Sequence, residues 1–119
     1  MNNLLGLLSR SDLKHLTPYL KPTHFEQHHV LFEADAEIEH VYFPITAIVS
    51  IVATLSTGEM IEAAMVGRDG VVGASAALDG KISLSRGIIQ LSGEIVVCEI
   101  EPLKSVALQN PTAVVAHPA

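Results

Sequence analysis

The feature that most constrains this chain is its succession of short β-branched and aromatic runs, each closed by a turn signal. Val30-Leu31-Phe32, Val41-Tyr42-Phe43, Ile48 to Leu55, Met60 to Val66, Arg86 to Leu91 and Glu94 to Ile100 are rich in residues that suit a pleated, half-buried surface. Ser56-Thr57-Gly58 reads as the turn of a hairpin whose return strand is Met60 to Val66, and Ser92-Gly93 reads as a second turn. Six to eight short strands with a turn every ~8–12 residues predict a mainly-β antiparallel sandwich or closed roll.

Helical patterning is confined to the flanks. Leu4, Leu5, Leu8, Leu13, Leu16 and Leu20 recur near helical spacing, which predicts that residues up to about 20 are helical. Ser9 with Asp12 is a candidate capping box, with Leu8 and Leu13 as the staple around it, so two short helices are expected, with Pro18 ending the second. The β-roll is expected over about 22–101. Pro102 then fits the first turn of a short helix over about 102–110, which Asn110-Pro111 stops.

Length and composition set the outer bounds. A chain of 119 residues is enough for a single domain over 1–119, burying roughly two-thirds of its unfolded surface. At 49% hydrophobic it is not a disordered tail, and at 17% charged it leaves surface suited to a partner. The formal net charge is −6 and the 7 basic residues are scattered, so the chain by itself lacks the basic cluster that a phosphate backbone requires. The single cysteine, Cys98, forms no internal disulfide and fits a reducing, cytoplasmic location. The apolar start Leu4-Leu5-Gly6-Leu7-Leu8 is too short for a signal peptide and lacks a basic flank. No apolar stretch approaches the ~18–20 residues of a membrane span, so no membrane partner is expected.

One stretch carries a specific chemical arrangement. Val66-Gly67-Arg68-Asp69-Gly70-Val71-Val72 leads through Gly73 into the small residues Ala74, Ser75, Ala76 and Ala77, then Leu78-Asp79-Gly80, and later Arg86-Gly87-Ile88. Small residues leave backbone N–H groups open, and a nearby guanidinium can close a fork on an anion. Gly73, Ala74, Ser75, Ala76, Arg86 and Gly87 are therefore the candidate ligand-binding residues. The competing reading makes the glycines turn and bulge residues of a β-roll, and Arg86 an ion-paired arginine with Asp79 as a partner.

The order Val41-Tyr42-Phe43-Pro44, Gly58, then Gly67-Arg68-Asp69-Gly70-Val71-Val72-Gly73 resembles the sensor domain of Crp/Fnr-type bacterial transcription regulators, members of the cyclic-nucleotide-binding-domain superfamily. The resemblance runs from Leu4 to about Pro111. It implies a double-stranded β-helix (jelly roll) with short flanking helices, a cyclic nucleotide such as cyclic AMP as ligand, and a homodimer. It also implies an effector-sensing role that controls DNA through an attached helix-turn-helix module. Neither that module nor the long helix preceding it in the family lies in this chain, where eight residues follow Pro111.

In the family's phosphate cassette, Gly73 stands at the glycine, Ala74 at the glutamate that accepts from the ribose hydroxyl, and Arg86 near the arginine. Gly87 stands at the serine or threonine and Ile88 at the alanine. Losing a hydrogen bond to a charged group costs about 1.5–3 kcal/mol, a ten- to hundredfold loss of affinity. The alternative reading is accordingly a degenerate scaffold of the same fold that serves only for dimerisation or interaction.

Other constellations are weaker. His28 and His29, as neighbours, would point to opposite faces of a strand; His24 and His28 share a face only if a strand runs on through Gln27, and no third ligand accompanies them. Glu33, Asp35, Glu37 and Glu39 read as a solvated turn. Cys98, in Ile95-Val96-Val97-Cys98, reads as a small buried hydrophobe. Ser75 has no neighbouring His or Asp to activate it, and metal-dependent roll chemistry lacks its inward histidines, so no enzyme is expected.

Overall fold

The computed structural model describes residues 2, 6, 10–73 and 85–103. In chain order these form helix α1 (Arg10–Leu16), a 3₁₀ turn (Thr17–Tyr19), and strands β1 (Leu20–Phe25), β2 (Val30–Phe32), β3 (His40–Pro44), β4 (Ile48–Thr54), β5 (Met60–Val66), β6 (Ser85–Leu91) and β7 (Gly93–Glu99). The strands make two antiparallel sheets, β1-β7-β3 and β2-β6-β4-β5. The spacing of strands and turns predicts an antiparallel sandwich or closed roll, and the resemblance implies a jelly roll; the two sheets have that jelly-roll architecture.

The sheets are layered by the residues they turn inward. In β7, Val96 and Cys98 pair with Phe43 and Val41 of β3. This face packs on Leu16 of α1 and on Leu103, with Ile38 and Val71 in the same cluster. The opposite face of β7 presents Ile95 to the second sheet, where Val49 and Ile51 of β4, Val66 of β5 and Ile89 of β6 are all buried. Apolar side chains on both faces of Ile95-Val96-Val97-Cys98 are what a strand covered on both sides needs, which explains its unbroken hydrophobic run. β5, at the edge of its sheet, is buried only toward Val66 and leaves Met60, Ile61 and Met65 about half exposed.

Three boundaries differ from the sequence reading. Helix α1 stops at Leu16, the 3₁₀ turn takes Pro18, and Leu20 opens a strand instead of ending a helix. The roll therefore starts at Leu20. Its first strand, Leu-Lys-Pro-Thr-His-Phe, was hidden by Pro22, which lacks the N–H of a ladder donor but is tolerated because β1 is an edge strand. Gly93 belongs to β7 and not to a free turn, and residues 100–103 are already helical, so β7 ends at Glu99 and Pro102 falls within that helical turn. Ser9, the Asp12 side chain and residues 104–110, on which the capping box and most of the second flanking helix rest, lie outside the described residues.

Tight corners fix the roll. Gly58 adopts φ +90° in the β4–β5 turn, where its N–H donates to Leu55 O at 2.9 Å. At Gly93 a Cβ would come within 2.5 Å of Ala47 N, so only glycine lets β7 enter beneath the 45–47 segment. The next residue locks the corner: Glu94 N–H donates to Thr46 Oγ1 at 2.8 Å, while Glu94 O accepts from Ile45 N–H at 2.9 Å. Asn2, 1% exposed, donates from Nδ2 to Pro44 O at 2.7 Å and to Gly70 O at 2.9 Å. It thereby ties the start of the chain to the turn that precedes the small-residue run.

Candidate functional site

The site grows from two ends of the 74–84 segment, whose own residues, including Ala74, Ser75 and Ala76, lie outside the described residues. At the entering end, the Gly67–Gly70 turn closes through Gly70 N–H to Gly67 O at 3.1 Å. Val72 then forms a single antiparallel bridge to Tyr42 of β3, donating to Tyr42 O at 2.8 Å and accepting from Tyr42 N–H at 3.0 Å. Gly73 follows in the left-handed region at φ +88°, and a Cβ there would press on His40 O at 3.3 Å. Backbone strain and close approach therefore both require glycine at 73.

At the leaving end, Arg86 and Gly87 sit on β6, opposite Val52 and Ile51 of β4. Gly87 is buried on the inner face, and Phe32 is its cross-strand partner on β2. The Phe32 ring lies where a side chain at 87 would stand, with Cε1 and Cζ only 2.7 Å from the place of a Cβ. Phe32 in turn stacks on Tyr42, ring centroids 6.3 Å apart and planes 27° apart. The two ends of the segment are thus linked through one ring pair: Gly87 to Phe32, Phe32 to Tyr42, Tyr42 to Val72 and Gly73.

Arg86, half-buried, turns its Nε into ion-pair contact with Oε1 of Glu33, the residue just past β2. Nε is itself buried and makes no directed hydrogen bond among the described residues, so charge rather than N–H direction holds the pair. The partner is Glu33; Asp79, the sequence candidate, lies outside the described residues. With Glu33 63% exposed, the pair adds at most about 1 kcal/mol to stability.

A hollow of about 140 Å³ lies between the end of β2 and β3, lined by Phe32, Tyr42 and His40 together with Glu37 and Glu39. Its two carboxylates repel an anion. Burial, and then the nearby Glu39 charge, raise the Tyr42 hydroxyl above its ordinary pKa, which keeps it a neutral donor. Cys98 is fully buried and its thiol is pushed up to about 11, first by burial and then by Glu99, which makes it unreactive. His24 contacts Glu94 at 3.3 Å through Nδ1 and Glu26 at 3.2 Å through Nε2 at an exposed edge. β1 stops at Phe25 and His28 turns at φ +74°, so His24 and His28 share no strand face. Among the described residues no three His, Cys, Asp or Glu side chains converge as metal ligands, and no helix is long and apolar enough to cross a membrane.

No family model and no curated protein matches the sequence. Solved structures do match the fold. The Thermus thermophilus catabolite activator protein is 15% identical, with a TM-score of 0.77 over 92% of this chain and 52% of its own. The sensor domain of the transcriptional regulator DNR from Pseudomonas aeruginosa is 12% identical, with a TM-score of 0.76 over 92% of this chain and 74% of its own. The regulatory domain of Toxoplasma gondii PKA, co-crystallised with cAMP, is 15% identical, with a TM-score of 0.78 over 87% of this chain and 40% of its own. The chain spans about half the length of the Thermus protein. Its two antiparallel sheets and flanking helix give it the jelly-roll fold shared by Crp/Fnr-type regulators and cyclic-nucleotide-binding domains.

Proposed function

We propose that this chain is a non-enzymatic, effector-sensing domain that binds a nucleotide or other anionic small molecule and controls an attached DNA-binding module. The ligand sits between the Gly73–Leu78 segment and Arg86, with backbone amides after Gly73 and the Arg86 guanidinium sharing its negative charge. The observation that carries this reading is the fixing of both ends of that segment. Gly73 is held left-handed against β3, and Arg86 is held on β6 with a half-buried guanidinium. An effector acts on the output module only by favouring one of two states of the chain that follows. The protein works in the cytoplasm and as a homodimer in this reading.

A ligand that binds only the folded state raises the unfolding midpoint. Thermal unfolding with cyclic AMP, cyclic GMP, a cyclic dinucleotide and inorganic phosphate, repeated on Arg86→Ala, tests the proposal. A rise that disappears in the variant supports it, and no rise with any of the four refutes it. One observation favours the second reading, a scaffold without ligand: the Phe32 ring fills the space over Gly87 where the family places a hydroxyl side chain. In that case Arg86→Ala changes nothing but stability.

A further inference from the structure

We propose that Glu33 is a built-in competitor of the effector, a carboxylate that occupies the anion position at Arg86 and must be displaced before an anion binds. The inference rests on the reading of Arg86 as the anion-holding residue and adds how access to it is controlled.

The last residue of β2 and the one that follows it cover two consecutive residues of β6. Phe32 lies on Gly87, and Glu33 meets Arg86. Phe32 is the fixed half. It fills the space left by the missing Cβ at 87 and stacks on Tyr42. A ring seated on a cross-strand glycine leaves β2 little freedom to slide, so Glu33 is delivered at the guanidinium. The turn beyond supports this, with Ala36 N–H donating to Glu33 O at 3.3 Å and Asp35 at φ +67°.

Glu33 itself is the movable half. Its side chain is 63% exposed against 33% for Arg86, and its contact is to Nε without a directed hydrogen bond. The pair lacks the two parallel bonds of a forked arginine–carboxylate contact, so it is readily broken. When Glu33 swings into solvent, Arg86 stays in place. The measured affinity for an anion is then the intrinsic affinity reduced by the fraction of molecules in which Glu33 is away. For an ion pair of this exposure the reduction is roughly two- to sixfold.

The test is calorimetric titration of the full chain with cyclic AMP and, separately, inorganic phosphate, in the native protein and in Glu33→Gln, Arg86→Ala and the double variant. Glu33→Gln keeps the shape of an exposed side chain, and equal circular dichroism confirms that the fold is retained. The expected result is binding roughly two- to sixfold tighter in Glu33→Gln than in the native protein, lost in both variants that lack Arg86. Equal or weaker binding in Glu33→Gln, with Arg86 still required, overturns the competitor role: Glu33 then orients Arg86, and the anion site stands. No binding of either probe to the native protein or to Glu33→Gln overturns both readings. So does tighter binding that survives in the double variant, since the anion would then sit elsewhere.

Discussion

Gly93→Ala is the sharpest test of how this roll turns its corner. The new Cβ would lie 2.5 Å from Ala47 N, 2.6 Å from Thr46 Oγ1 and 2.7 Å from Thr46 C. Two of these three atoms are backbone, so no rotamer change relieves the clash, and the 45–47 segment must retreat by about 0.9 Å to reach the 3.4 Å of ordinary contact. That movement breaks or stretches two bonds, Glu94 N–H to Thr46 Oγ1 and Ile45 N–H to Glu94 O. Two such bonds are worth about 2 kcal/mol together. Overpacking strain adds about 1–3 kcal/mol, and the stiffer unfolded chain returns about 0.4–1 kcal/mol. The net loss is about 2–5 kcal/mol, or about 10–25 °C in Tm for a chain of this size. Urea unfolding followed by circular dichroism measures it, with Gly67→Ala as control, since a Cβ at 67 meets nothing within 4 Å. If Gly93→Ala unfolds within about 1 kcal/mol of that control, the corner yields more easily than its geometry implies.

Other consequences are open to direct measurement. Asn2→Ala removes the amide donor to Pro44 O and Gly70 O and should cost about 2 kcal/mol in urea unfolding, whereas a change below about 0.5 kcal/mol would show that other donors replace the amide. With its thiol pushed up to about 11, Cys98 should react with a thiol reagent at pH 8 at least about 100-fold more slowly in the native protein than in urea. The same shift makes stability pH-dependent. Between the ordinary thiol value of 9.0 and about 11, the unfolded chain gives up a proton that the folded chain keeps, so stability falls as pH rises through that window. Tyr42, also raised by burial, steepens the fall above 10.0, and a flat profile there would refute both assignments.

The sequence by itself determined the class of fold. Runs such as Ile48 to Leu55 and Met60 to Val66 became β4 and β5 because alternation and β-branching are local properties, readable without knowing what the strand packs against. Gly73 and Arg86 were legible for a similar reason, since a glycine before small residues and a lone arginine after them are local patterns. β1 was not legible, because Pro22 marks a break unless the strand is known to lie at a sheet edge. Leu20 joined the leucine spacing of a helix and was taken by pairing with Cys98. Phe32 and Glu33 gave no sign of covering Gly87 and Arg86, because β2 and β6 are neighbours in the sheet but lie far apart in the sequence, and the acidic stretch from Glu33 to Glu39 reads locally as a solvated turn. Asn2 likewise carries no pattern, and only the folded chain brings Pro44 O and Gly70 O together for its amide. Strand and turn identity follow from neighbours in sequence. Which charge faces Arg86, and which ring fills the space at Gly87, follow only from the register of strands far apart in the chain.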